Sequence, residues 1–139
     1  MAIGTFSELK TAIAAWQNKT SLTAYLADFI ALAEAKINRR LRVSGMETAL
    51  AETVIASDVV ARPAGMLAIK SIWATGSEQI TLEPKTLEFI LRQPSLSASP
   101  KFYAWEAANL RFYPSSGSVA AVYYTKLTPL SDAAPTNWL

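Results

Sequence analysis

The stretch from Ala24 to Arg42 constrains this chain most. Leu26, Ile30, Ala33, Ile37 and Leu41 recur at steps of three and four. That spacing lays them along one face of an α-helix, and Phe29 widens the stripe. Asp28 and Glu34 lie toward the N-terminal half, while Lys36, Arg39, Arg40 and Arg42 crowd the C-terminal end. Such an order suits the helix dipole, whose C-terminal carbonyls favour cations by roughly 0.3–1 kcal/mol each. The segment therefore predicts one amphipathic helix over 24–42, with an apolar face to bury and a basic end to present.

A first helix precedes it. Thr5-x-x-Glu8 is a capping-box pattern, and Phe6, Leu9, Ile13 and Trp16 follow at helical spacing to about Gln17. The polar break Asn18-Lys19-Thr20-Ser21 would join the two as an antiparallel helical hairpin. Phe6, Leu9, Ile13 and Trp16 are then expected to pack on Leu26, Ile30, Ala33 and Ile37. A buried Trp16 would make Trp16→Ala cost about 3–5 kcal/mol.

After Arg42 the period changes. Gly45 suits a left-handed helix cap. Met46 to Ala56 reads as a strand, Ser57-Asp58 as a turn, Val59 to Ala61 as a short strand and Pro63 to Met66 as a tight turn or a single helical turn. Leu67 to Thr75 and Gln79 to Leu82 form a hairpin about Gly76-Ser77. Pro84 would start a short helix to Arg92, at the position where its missing N–H costs nothing. Gln93 to Pro100 is a loop. Strands follow at Lys101–Glu106, Leu110–Tyr113 and Val119–Lys126, with an aromatic face from Phe102, Tyr103, Trp105, Phe112, Tyr113, Tyr123 and Tyr124. The fold class is α+β: an N-terminal antiparallel helical hairpin followed by a small antiparallel β-sheet with one short helix. At 139 residues a single domain is expected, with hairpin 1–45, a β-rich part 46–127 carrying helix 84–92, and an irregular segment 128–139.

Composition narrows the chemistry. The chain has no cysteine and no histidine. Disulfides, thiolate zinc and thiol nucleophiles are excluded, as are a His-based triad and the usual general base near neutral pH. The acids Glu47, Glu52, Asp58, Glu78, Glu83 and Glu88 are scattered, and no spacing pairs two of them for glycoside hydrolysis. Gly4, Gly45, Gly65, Gly76 and Gly117 are isolated, so no phosphate-cradling loop is spelled out. No enzyme activity, metal or cofactor is expected. The net charge of +2 is too weak for a general nucleic-acid binder. The aromatics of the last third could stack on bases, but core packing accounts for them better, since Lys101, Arg111 and Lys126 are the only cations there. The apolar share is 51% and the charged share 17%, lean against about 25% for an ordinary domain. Such a chain has a large core, apolar surface kept for partners, or both. No signal peptide or membrane-spanning run is read from the residues, so synthesis in the cytoplasm is expected, with no membrane partner.

Lys36, Arg39, Arg40 and Arg42 are the candidate interface residues, able to touch phosphates or an acidic protein surface. Lys36 and Arg40 share one helix face, and Arg39 and Arg42 another. The plain alternative is a solvated helix end that completes the dipole. A further alternative is a small nucleic-acid-binding module built on this basic end.

Several stretches together resemble the phage adaptor proteins, the head-to-tail connector subunits of short-tailed and related phages. They are Phe6-Ser7-Glu8-Leu9-Lys10-Thr11-Ala12-Ile13 with Trp16, Asp28 through Arg39 running into Leu41-Arg42, and Met46-Glu47-Thr48. Pro100-Lys101-Phe102-Tyr103, Leu110 through Pro114, Val122-Tyr123-Tyr124 and the ending Leu130-Ser131-Asp132-Ala133-Ala134-Pro135-Thr136-Asn137-Trp138-Leu139 complete the match. The resemblance implies a structural virion protein at the head–tail interface, in a ring, usually a dodecamer. The ring docks beneath the portal protein and above the tail or nozzle protein, and genome DNA passes through its lumen without sequence specificity. Arg39 and Arg40 would then lie at a subunit or portal contact or line the channel. Family members continue past Asn137-Trp138-Leu139 with further helical sequence, whereas this sequence stops at Leu139.

Overall fold

The computed structural model describes residues 4–17, 24–76 and 79–134. The expected break Asn18–Ser21, Ser77 of the Gly76-Ser77 turn, Glu78, and Pro135 to Leu139 of the ending lie outside the described residues. The chain divides into two compact units. One comprises Met1–Met46 with Lys126–Leu139, the other Glu47–Thr125.

The first unit is helical. Helix α1 spans Phe6–Gln17. Its start is the capping box that Thr5 and Glu8 spell. The Glu8 N–H donates to Thr5 Oγ1 at 3.3 Å, and Glu8 Oε2 accepts from the Gly4 N–H at 2.8 Å and the Thr5 N–H at 3.0 Å. These bonds, from Gly4 first, hold the Glu8 carboxyl below its ordinary pKa. Helix α2 spans Leu26–Arg40, with Ala24 and Tyr25 in a 3-10 turn before it. The two helices touch, and Phe6, Leu26, Ile30, Met46 and Leu127 are buried.

Trp16 does not join the expected packing: its side chain is 93% exposed. The spacing explains this. Steps of three, four and three from Phe6 leave Trp16 rotated about 80° off the Phe6 direction at 3.6 residues per turn. Leu9 and Ile13, nearer that direction, are half-buried. On α2 the burial of Leu26 and Ile30 fades to half-burial at Ile37 and Leu41, and Ala33 is exposed.

The helix also ends otherwise than expected. Gly45 is not in a left-handed conformation and lies in the 3-10 turn Ser44–Met46. Leu41 turns extended, and its N–H still donates to the Ile37 carbonyl. Arg42 folds back, and Nη1 donates to the carbonyl oxygens of Asn38 and Leu41. A guanidinium thus satisfies the free carbonyls that a left-handed glycine would otherwise serve.

The second unit holds eight strands in two four-stranded sheets. The strands are β1 Glu47–Val54, β2 Val59–Ala61, β3 Met66–Thr75, β4 Ile80–Thr81, β5 Glu83–Pro84, β6 Phe102–Glu106, β7 Asn109–Tyr113 and β8 Ser118–Thr125. One sheet runs β1-β8-β3-β4 and the other β2-β7-β6-β5. All pairings are antiparallel except β5 with β6. A single core joins them: Leu110, Phe112, Tyr103 and Val60 from the second sheet meet Ile72, Ala74, Val119 and Ala121 from the first. The α+β reading and the order of its parts hold, and the strands form a sandwich of two sheets.

Local chemistry places the turns. Ser57 and Asp58 both take positive φ, 51° and 68°, the geometry of a tight hairpin turn between Ala56 and Val59. Pro84 does not open a helix. It sits in edge strand β5, where a residue without an N–H breaks no ladder, while the Glu83 and Lys85 N–H groups donate to the Lys101 and Tyr103 carbonyls. Helix α3, Leu87–Leu91, instead starts at Thr86, whose Oγ1 accepts from the Phe89 N–H at 3.3 Å.

The aromatic strand residues divide between two faces, because side chains alternate along a strand. Tyr103 and Phe112, opposite each other in register, point into the core, and burial pushes the Tyr103 phenol up in pKa. Phe102 and Tyr113, the next pair, face outward. There Phe89 of α3 meets Phe102 edge to face, with centroids 5.7 Å apart.

Candidate functional site

Helix α2 is flanked unequally. On one side the returning C-terminal segment is clipped to it. The Leu127 N–H donates to Asn38 Oδ1 and the Leu130 N–H to Glu34 Oε1, each at 2.9 Å. Glu34 and Asn38 stand four apart, one helical turn, so both accept along the same side of α2. Farther along the segment, Asp132 pairs with Lys10 of α1 at 3.0 Å. Sequence reading gave Glu34 no role beyond its place in the dipole and missed Asn38. Their i, i+4 spacing beside the apolar stripe was the available signal.

The other flank is open. Tyr25 is 56% exposed, Phe29 48% and Leu32 67%. Phe29 therefore does not extend the buried stripe. These three continue, at steps of four, three and four, into Lys36, and Arg40 follows one turn later. Lys36 and Arg40 rim a shallow apolar groove floored by Ala33, Ile37 and Leu41. The flank is apolar in its first half and cationic in its second.

The four candidate residues thus fare differently. Lys36 and Arg40 come together along the groove. Arg39 is exposed on the neighbouring face. Arg42 is half-buried and engaged with the helix-end carbonyls, apart from the other three. Among the described residues, no carboxylate lies within ion-pair distance of Lys36, Arg39, Arg40 or Arg42. No described helix is long and apolar enough to cross a membrane.

A length-wide match decides the family. The model of the SU10 adaptor protein family covers residues 4–139. The chain belongs to the SU10 adaptor protein family. No curated protein matches it. A phage adaptor protein is a structural component of the virion, and its work is contact with other phage structural proteins. In this SU10 adaptor protein, the open flank of α2 is a described surface that combines apolar area with exposed cations. It shows large apolar side chains in a row and, among the described residues, charge without an ion-pair partner.

Proposed function

We propose that this SU10 adaptor protein is the head-to-tail connector subunit of its virion. Several copies, on the family pattern a dodecamer, form a ring between the portal protein and the tail or nozzle protein, and genome DNA passes through the lumen. The observation that carries this reading is the open flank of α2, together with Trp16. A chain whose helices leave Trp16, Tyr25, Phe29 and Leu32 in water has apolar area to bury against neighbours. Sparse charge also suits a channel, because cargo must slide and each tight phosphate contact would hold it. In this reading Lys36, Arg39 and Arg40 lie at a subunit or portal contact or line the lumen, and Arg42 holds the end of α2.

Electron microscopy of the particle tests the proposal. The expected image is a ring of this chain at the portal vertex. A particle with the chain elsewhere, or with one copy at that vertex, overturns it. A nucleic-acid-binding module is the second reading, favoured by the cations on α2 that have no ion-pair partner among the described residues. Filter binding against salt separates the two. An SU10 adaptor working as a conduit should show weak binding with a shallow slope, whereas a dedicated binder shows tight binding with a slope of about −0.9 per phosphate neutralised.

A further inference from the structure

Charge is distributed unequally over the two units. The helical unit carries seven Lys and Arg against four Asp and Glu, and the sandwich six against seven. Most sandwich cations are matched at home: Lys70 by Glu47, Lys85 by Glu83, Arg92 by Glu88 and Arg111 by Glu106. The cations on the open flank of α2 have no such match among the described residues. A surface that covers this flank must offer apolar area beside a carboxylate that holds no cation.

The sandwich shows six exposed large apolar side chains, and their surroundings differ. Phe89 and Leu91 sit beside Glu88, which holds Arg92, and Trp105 lies under the Arg62 guanidinium at 5.8 Å. Leu96 has no carboxylate within three residues in sequence, and the described carboxylate near Ile80, Glu83, holds Lys85. Val54 is different. It is 70% exposed at the end of β1, two residues from Glu52, whose carboxylate accepts from the Thr75 hydroxyl and touches no described cation. Strand β1 is also the long edge of the sandwich. It spans eight residues, against two, two and three for the edges β4, β5 and β2. Short edges are closed to partners, and a long one is open to them.

We propose that the open flank of α2 docks on the β1 edge of a second copy of this chain. Tyr25, Phe29 and Leu32 cover Val54 and the exposed alanines of β1, and Lys36 or Arg40 reaches Glu52. The two patches are different surfaces on different units, so the contact is heterologous. Each copy offers both halves, and repetition closes a ring or extends a filament. This inference rests on the multi-copy reading above and adds which surfaces meet.

The test is sedimentation of the full chain over a range of concentrations at low and high salt. The wild-type chain should self-associate, and salt should weaken it. Leu32→Asp, Arg40→Glu and Glu52→Arg should each weaken association about tenfold or more while keeping the circular-dichroism spectrum of the folded chain, since all three side chains are exposed. The double variant Arg40→Glu with Glu52→Arg should recover most of the loss. A chain that stays monomeric at its highest attainable concentration overturns the proposal. So do variants that associate like the parent, or a charge swap that recovers nothing. Micrographs of the particle keep the two readings apart: a ring at the vertex together with failed variants removes this contact and leaves the ring standing.

Discussion

In the sandwich, Arg111 is gripped through two nitrogens by Glu106, at 2.7 and 3.1 Å, and has Asp58 at 3.7 Å. On α2, Lys36, Arg39 and Arg40 point at no described carboxylate. The same contrast runs through the apolar residues. Leu110, Phe112, Val119 and Ala121 are almost wholly enclosed between two sheets, whereas Trp16, Tyr25, Phe29 and Leu32 stand in water. The sandwich encloses a core between its sheets and pairs four of its six cations with its own carboxylates. The helical unit leaves a row of apolar residues exposed, along the flank of α2 opposite the C-terminal segment. The sandwich leaves its exposed apolar residues scattered, whereas α2 lines its own up along one flank.

Four measurements break or sharpen this contrast. Phe112→Ala opens the centre of the sandwich core, where Phe112 is 1% exposed, and should cost about 3–5 kcal/mol in urea unfolding. A loss below about 1 kcal/mol would mean that the two sheets are not locked by this core. Asn38→Ala removes the acceptor of the Leu127 N–H and should cost about 1 kcal/mol. Hydrogen exchange at the Leu127 amide should quicken, and an unchanged amide would separate the C-terminal segment from α2. Trp16→Ala should shift the melt of the isolated chain by no more than about 0.5 kcal/mol, because its ring already faces water. A loss of several kcal/mol would show that Trp16 is packed after all.

The smallest effect concerns pH. The N–H groups of Gly4 and Thr5 lower the Glu8 pKa in the folded chain. The capping contribution is therefore present above the ordinary glutamate pKa and is lost as pH falls through the lower folded value. The helicity of α1 should decline in acid, and Glu8→Gln should flatten that decline. A parent and variant with superimposable acid titrations would remove the capping box from the account.

Much of the fold was legible because its signals are local. Thr5-x-x-Glu8 marks a helix start through bonds among four consecutive residues. Ser57-Asp58 marks its turn through backbone conformations that those two residues tolerate. The strands of the last third were readable from β-branched and aromatic runs to within a residue or two. Pro84 misled because two local rules compete for it: proline suits the first turn of a helix and also a sheet edge, and only the partner strand β6 decides. Gly45 misled in the same way, since Arg42 already serves the carbonyls of the helix end. In the candidate site, the shared face of Lys36 and Arg40 followed from spacing alone. The diversion of Arg42 and the clip by Glu34 and Asn38 did not, since their hydrogen-bond partners depend on how the backbone folds back or on residues about ninety positions away.

By itself the sequence determined the two long helices, seven of the eight described strands, the absence of thiol and imidazole chemistry, and the basic end of α2. These rest on periodicity and composition, which involve near neighbours or none. Only the tertiary structure decided that the strands split into two sheets, that α2 has one covered flank and one bare one, and that Trp16 faces solvent. Each of those depends on which distant segment returns to which face, and contacts between residues far apart in the chain are written in no short stretch of it.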